Sequence, residues 1–411
     1  MTVVNTLPRR TGFVGISAAL VAFFIAAGAV TPLLPLYEKS WGFPHSTLTL
    51  AFGVYAIALL AALLVAGSLS DHVGRRPVLV GALALELAAM LVFVTAPSIG
   101  WIIAGRVLQG IATGAASSAF GAAVVELAPE RHKKLGALMT SLASTAGLGI
   151  GALLSGLVAQ SVPAEAAFTV WLVLVIVMAA GTVFAVFTPE TVTRRSGALA
   201  SLTPRISVPA RVRRQFAATA PGVASVFMTT ALFLGLVPIV FAAVFAAGGP
   251  VVGGLAAFVL FGAGAVVSAA TSGVRPRDLE VAGDLGLTAG SILFVGGIAL
   301  GAFPLVWIAA ILSGAGMGAT FSGTIRGLVP QVEAHERAGL FTAVFVVAYL
   351  ALGVSAIVAG PIATAVGVAD MAIGFGVVLA LVSALALVLS LRGRAFQQRG
   401  DRSWTGVAAG R

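Results

Sequence analysis

The sequence predicts an all-α membrane protein of twelve transmembrane helices in two pseudo-symmetric six-helix bundles. Three observations predict it: the composition, the placement of basic residues, and an internal repeat. Of the 411 residues, 59% are hydrophobic and only 9% are charged. A soluble domain carries about 25% charged residues because its surface must stay wet. Here lipid has to cover much of the outside. The apolar residues fall into runs of about 20 or more, enough to cross a hydrocarbon core about 30 Å thick. The 50 glycines let membrane helices approach closely.

Spans are expected at 12–36, 48–67, 78–96, 100–126, 136–160, 167–187, 217–246, 251–272, 283–302, 305–328, 339–365 and 368–391. They group as a first bundle over 1–187, a mobile basic linker over 188–215, a second bundle over 216–391 and a tail over 392–411. The apolar run after Arg9 and Arg10 exceeds the roughly 7–15-residue core of a signal peptide, so it reads as the first span. With both termini cytoplasmic, all but three of the 24 Lys and Arg residues fall on one side. The exceptions are Lys39 on the other side, and Arg106 and Arg326 within spans. That asymmetry follows the positive-inside rule, and miscounting by one span would scramble it. It predicts a multi-pass protein of the inner or plasma membrane.

The net charge of +10 is not a nucleic-acid signature. The basic residues sit in short loops, with no basic groove or interleaved aromatics. Cysteine is absent, which excludes disulfides and thiolate or iron–sulfur sites. His45, His72, His132 and His335 are scattered through loops and form no metal cluster. Gly314, Gly316 and Gly318 lie inside a span, and no Walker A pattern occurs. No cofactor and no enzymatic activity are therefore expected, and uphill work would draw on an ion gradient. The expected partners are the lipid bilayer, a small-molecule substrate and protons, with the chain acting as a monomer.

The two halves repeat. Leu108-Gln109-Gly110-Ile111-Ala112-Thr113-Gly114-Ala115 in the fourth span matches Leu312-Ser313-Gly314-Ala315-Gly316-Met317-Gly318-Ala319 in the tenth. Trp101 and Trp307 stand near the start of each. Paired bundles are what alternating access requires, each half rocking against the other about a central site. A duplicated scaffold without transport is the bland alternative, but its buried charges would then be pure cost.

Between spans two and three runs Gly67-Ser68-Leu69-Ser70-Asp71-His72-Val73-Gly74-Arg75-Arg76-Pro77. Gly67 permits tight packing and Gly74 a sharp turn. Asp71 can face the positive end of another helix, and Arg75 can pair with an acid. The segment resembles the second-loop motif of the major facilitator superfamily, Gly-x-Leu-x-Asp-Arg-x-Gly-Arg-Arg/Lys, with His72 in place of the usual basic residue. The resemblance implies that Asp71 docks on span eleven near Gly339 and that Arg75 pairs with Glu126 at the inner end of span four. Gly67, Asp71, Gly74, Arg75, Arg76 and Glu126 would then form a latch that holds one face closed. The alternative is that they only anchor topology at the headgroups. Gly273-Val274-Arg275-Pro276-Arg277-Asp278 is at best a degraded copy in the second half.

Arg106-Val107-Leu108-Gln109-Gly110-Ile111-Ala112-Thr113-Gly114-Ala115 resembles the family's span-four pattern. An arginine inside a span is costly unless it finds water or partners, so it is functional by default. Arg106, Gln109, Thr113 and Ser117 share one helical face as a polar stripe. The resemblance associates such an arginine with proton transfer. Its repeat partner is Ala310, so the halves are unequal. Glu86 is the acid placed deepest, about 14 Å into the bilayer. A carboxyl group so placed takes up and releases a proton as its surroundings change. It can equally be a neutral acid bonded to a neighbouring helix, or a static partner of Arg106.

In span five, Gly147 and Gly151 match the family's antiporter motif, while Leu148 replaces its Pro and Ala152 a Gly. Gly110, Gly114, Gly147 and Gly151 are expected helix-packing positions, with span five closing on span eight. Thr31-Pro32-Leu33-Leu34-Pro35-Leu36-Tyr37 is similar to drug-efflux-type members, although span one lacks an acid. Tyr55, Tyr349 and Phe227 are either cavity aromatics or packing residues. Asp284 is expected at the interface. These readings point to proton-coupled export of a small, rather apolar molecule. A proton-linked uptake symporter and a non-transporting receptor or scaffold are the alternatives.

Overall fold

The computed structural model describes residues 7–204, 206–333 and 335–408, so Arg205 and Arg411, both counted on the basic side, lie outside it. Twelve of the described helices are long and apolar enough to cross a membrane. In the first half these are α1 (Arg9–Trp41), α2 (His45–Ala66), α3 (Arg75–Val94), α4 (Ile99–Leu127), α5 (Lys133–Ser161) and α6 (Ala166–Phe187). In the second they are α7 (Ala210–Phe245), α8 (Pro250–Ala270), α9 (Pro276–Ala299), α10 (Phe303–Leu328), α11 (Arg337–Val366) and α12 (Val368–Ala408). No strand occurs among the described residues.

Several helices outrun the expected spans because their polar end turns are helical but not apolar. α1 starts at Arg9 and stops where Gly42 takes a left-handed cap at φ 66°, which glycine adopts without a Cβ clash. α7 begins at Ala210, inside the expected linker, so Arg211, Arg213 and Arg214 are helical. α12 continues through the expected tail to Ala408. Within α7, Leu232–Leu236 form a π turn. Pro238 has no N–H to offer the Leu234 carbonyl, and the wider turn accommodates that loss.

The packing repeats between halves. α3 lies on α4 and α6 as α9 lies on α10 and α12, and α2 meets α4 as α8 meets α10. The halves join along two seams, α2 with α11 and α5 with α8. The sequence repeat explains part of this symmetry. Gly110 and Gly114 face the backbone carbonyls of Tyr55 and Leu59 on α2, and Gly314 and Gly318 face those of Leu260 and Gly264 on α8. At each position a Cβ would enter the opposing backbone. We therefore expect Gly114→Ala and Gly318→Ala each to destabilise by about 1–3 kcal/mol, the range for overpacking. A lowered Tm of the purified protein is the measurement. Unchanged Tm in both would mean that α4 sits less tightly on α2, and α10 on α8, than these approaches imply.

The glycines of α5 divide differently from expectation. Gly147 faces Phe24 and Gly151 faces the Ile25 carbonyl, so both pack against α1. The approach to α8 comes instead from Gly149 against Phe258, Gly156 against Pro250, and Ala152 against Gly254. A small-x-x-x-small pattern announces a close neighbour without saying which helix it is.

Candidate functional site

Close contacts across the two seams lie from the middle of the membrane to the face opposite the linker. Gly360, near the end of α11, meets Ser46 and Thr49 at the start of α2, and Gly53 meets Gly353 and Ile357. The halves are thus shut on that face. The candidate groups lie inward from this closure.

A polar cluster is buried between α2, α3 and α4. Glu86, Arg106 and Gln109 are each at most 1% exposed. The Gln109 amide stands between the other two. Its oxygen accepts from Arg106 Nη1 at 2.5 Å, and its nitrogen donates to Glu86 Oε1 at 2.8 Å. Arg106 Nε donates to the Ala51 carbonyl at 3.3 Å, and the guanidinium carbon lies 4.1 Å from the Tyr55 ring centroid. An amide oxygen, a carbonyl and an aromatic face therefore meet the charge. The carboxyl group reaches it only through Gln109. Glu86 Oε2 is buried with no hydrogen-bond partner.

Close packing of α4 on α2 puts Tyr55 over this cluster, since Gly110 abuts the Tyr55 carbonyl. The Tyr55 hydroxyl donates to Thr113 Oγ1 at 3.3 Å, and Thr113 donates to the Gln109 carbonyl at 2.8 Å. Ser117 bonds back to the Thr113 carbonyl at 2.6 Å. It continues the stripe without touching the charged groups.

Tyr55 lies two residues from Gly53, and Tyr349 of α11 one turn from Gly353, where α2 meets the second half. Phe227 of α7 packs edge-on to Tyr349 at 5.2 Å, Phe345 stacks on Tyr349 at 5.8 Å, and Phe321 of α10 lies 6.0 Å from Phe227. All five keep part of their surface exposed. Tyr349 and Phe227, both singled out in the sequence, thus meet in one group with Phe321 and Phe345.

On the basic face, Arg75 gathers the motif's acids. Its Nη1 lies 2.5 Å from Asp71 Oδ1 and its Nη2 3.1 Å from Glu126 Oε1. Arg75 Nη1 also donates to Ser70 Oγ at 2.7 Å. Thr191 Oγ1 donates to Glu126 Oε2 at 2.5 Å, and Arg9 Nη2 to the Glu126 carbonyl at 2.7 Å. Gly74 turns the chain at φ 103°, a conformation glycine adopts freely. Ser118 donates to the Gly67 carbonyl at 2.6 Å, which ties α4 to the end of α2.

The expected docking of Asp71 on α11 is absent from this state. Its side chain is 57% exposed and paired with Arg75. Gly339 packs instead against Ser207 of the linker, whose N–H donates to the Gly339 carbonyl at 3.4 Å. The linker is also tied to the first half, where the Ser201 carbonyl accepts from Ser68 Oγ at 2.9 Å.

Sequence reasoning missed Glu190. Its carboxylate accepts the N–H groups of Arg75 at 2.8 Å and Arg76 at 3.1 Å. It therefore caps α3 from more than a hundred residues away, with a negative charge at the helix's positive end. A lone acid at the start of an arginine-rich linker was the available signal. Asp284, expected at the interface, is 3% exposed and accepts from Thr320 Oγ1 at 3.0 Å. Glu280 is 7% exposed, so Glu86 is not the only buried acid.

The Major Facilitator Superfamily profile matches residues 16–326. Inner membrane transport protein YajR of Escherichia coli (strain K12) is 33% identical over 105 residues, 25% of this chain and 23% of that protein. Multidrug resistance protein MdtL of Klebsiella pneumoniae is 33% identical over 81 residues, 20% of this chain and 21% of that protein. Both alignments thus span under a quarter of the relative's length. The crystal structure of the human organic anion transporter MFSD10 superposes with a TM-score of 0.66 at 18% identity, covering 93% of this chain and 100% of that one, and this likeness is one of fold alone. Twelve spans, the repeated glycine seams and a profile match over most of the chain agree: it belongs to the major facilitator superfamily of membrane transporters.

Proposed function

We propose that the protein exports a small, rather apolar molecule in exchange for protons, with its basic face and both termini in the cytoplasm. The observation that carries this reading is the buried chain from Arg106 through Gln109 to Glu86, with the Arg106 guanidinium set against the Tyr55 ring. The aromatic group around Tyr55 and Tyr349 offers ring faces and few polar atoms, which suits an apolar substrate. The multidrug-resistance name of one relative agrees, over the short stretch it covers.

Gln109 is the switch in this mechanism. With Glu86 ionised, the amide N–H points at the carboxylate and its oxygen holds Arg106. A protonated Glu86 has an O–H to donate, which favours the flipped amide, with its NH₂ turned toward Arg106. The guanidinium then loses an acceptor and is left to the Ala51 carbonyl and the Tyr55 ring. Protonation and substrate thus bias the same arginine, the differential interaction that coupling requires. Alternating access follows if the halves rock about the α2–α11 and α5–α8 seams. In the opposite state Asp71, held by Arg75, which Glu126 anchors, meets the second half and shuts the basic face.

Everted membrane vesicles with an imposed pH gradient test the function. Export by antiport predicts substrate accumulation when the lumen is acidic, with alkalinisation on adding substrate. Accumulation only under the opposite gradient would replace this reading by proton-linked uptake, and no flux under either would leave a scaffold. For the latch, we expect Arg75→Ala and Glu126→Ala each to reduce transport, and the double variant to be little worse than either. Such non-additivity marks one interacting pair. Independent, additive losses would remove the latch.

A further inference from the structure

The second half has a cavity of about 1170 Å³ on the basic face, between α7, α9, α10 and α12. By the symmetry of the packing it occupies the place that the Arg75 network fills in the first half. There Arg9 of α1, Arg75 of α3, Glu126 of α4 and Glu190 just after α6 close on one another. In the second half the corresponding helix ends contribute side chains of both signs but leave a space.

Basic side chains dominate the mouth of that space and acids its floor, with Asp278 a further acid in the lining. Arg214, Arg275, Arg277 and Arg392 line it, and of these Arg214, Arg275 and Arg392 are exposed at its mouth. At its floor Glu280, Asp284, Thr320 and Thr324 are 7%, 3%, 1% and 1% exposed. Asp284 is engaged by Thr320. Glu280 Oε1 and Thr324 Oγ1 are buried with no hydrogen-bond partner. A buried carboxylate oxygen left unpaired is costly, and a cationic N–H donor is the group that repairs it best. The mouth calls for the opposite sign, and guanidinium forks match phosphate oxygens.

We propose that this cavity binds a primary ammonium joined by a short linker to a phosphate, the ammonium on Glu280 and Thr324 and the phosphate at Arg275 and Arg392. An ammonium has three N–H donors, which suits a floor of acceptors; a quaternary amine has none. The ligand chemistry is that of phosphoethanolamine, either free or as the headgroup of phosphatidylethanolamine. The lipid source is sterically natural, because α12 is among the helices with the most surface facing outward. A bound headgroup would tie the basic ends of α7, α9, α10 and α12 together, as the protein's own side chains do for α1, α3, α4 and α6.

Thermal unfolding of the purified full chain, followed by tryptophan fluorescence, tests the site. Phosphoethanolamine is compared with phosphocholine, ethanolamine and inorganic phosphate, and nanodiscs of phosphatidylethanolamine with nanodiscs of phosphatidylcholine. We expect the primary-amine phosphate to raise Tm by a few degrees in at least one format, and Glu280→Gln and Arg275→Ala each to remove most of that shift. A shift with free phosphoethanolamine identifies the soluble source; one seen only in nanodiscs identifies the lipid. An equal shift from phosphocholine or inorganic phosphate overturns the proposal, as does a shift surviving both substitutions or no shift in either format. If Glu280→Gln does not fold, Arg275→Ala at the exposed mouth decides alone.

Discussion

Glu86→Gln is expected to abolish the response of transport to a pH gradient while leaving downhill substrate movement intact. The side chains are nearly isosteric, so the bond to Gln109 can be remade and the packing of α3 on α4 kept. What is lost is the exchangeable proton. One pH unit is worth about 1.4 kcal/mol per proton, tenfold in concentration ratio for one-for-one exchange. Accumulation in vesicles under a one-unit gradient should therefore fall by about that factor, to the level of passive equilibration. Unchanged gradient-driven accumulation would exclude Glu86 as the proton site and leave it a structural acid.

Arg106→Ala is expected to lower transport by roughly ten- to a hundredfold, the rate equivalent of the 1.5–3 kcal/mol carried by a hydrogen bond to a charged group. Three groups would lose their donor or cation together: the Ala51 carbonyl, the Gln109 amide and the Tyr55 ring. Membrane insertion should improve, since an arginine at the centre of a span costs roughly 2.5–3.5 kcal/mol to insert. The diagnostic pattern is normal expression and Tm with little transport. A purely structural arginine would give the reverse, lowered Tm with proportionate activity per folded molecule. Arg106→Lys sharpens the test, because a single ammonium cannot reproduce the planar fork that reaches Ala51 and Gln109 while lying over Tyr55. We expect it to be nearly as defective as alanine.

The helix count and the two-bundle arrangement were legible in the sequence because bilayer crossing imposes a length and a composition, and loop arginines fix the parity. Arg106 was legible because a charge inside a span is rare, and Gln109 because three residues along a helix share a face. Tyr55 was named without its partner, since its position over Arg106 depends on the register of α2 against α4. Glu190 had no local signature, because the helix end it caps is remote in sequence. Gly147 and Gly151 announced a close neighbour but not that it was α1. Asp284 was misjudged because a residue near a helix start is ordinarily wet. Only the packing of α9 on α10 shows that Thr320 covers it.

The linker's two anchorages have a further consequence. Ser201 is tied to the end of α2 and Ser207 to the start of α11. The chain between these ties, fully stretched, reaches no more than about 20 Å. It is a leash between the basic ends of the two halves. While both ties hold, the basic ends of the two halves cannot separate beyond its length, whatever the substrate. Cargo size would then be capped by a covalent string, and lengthening that string with a few glycines would widen the opening without touching Glu86, Arg106 or Gln109.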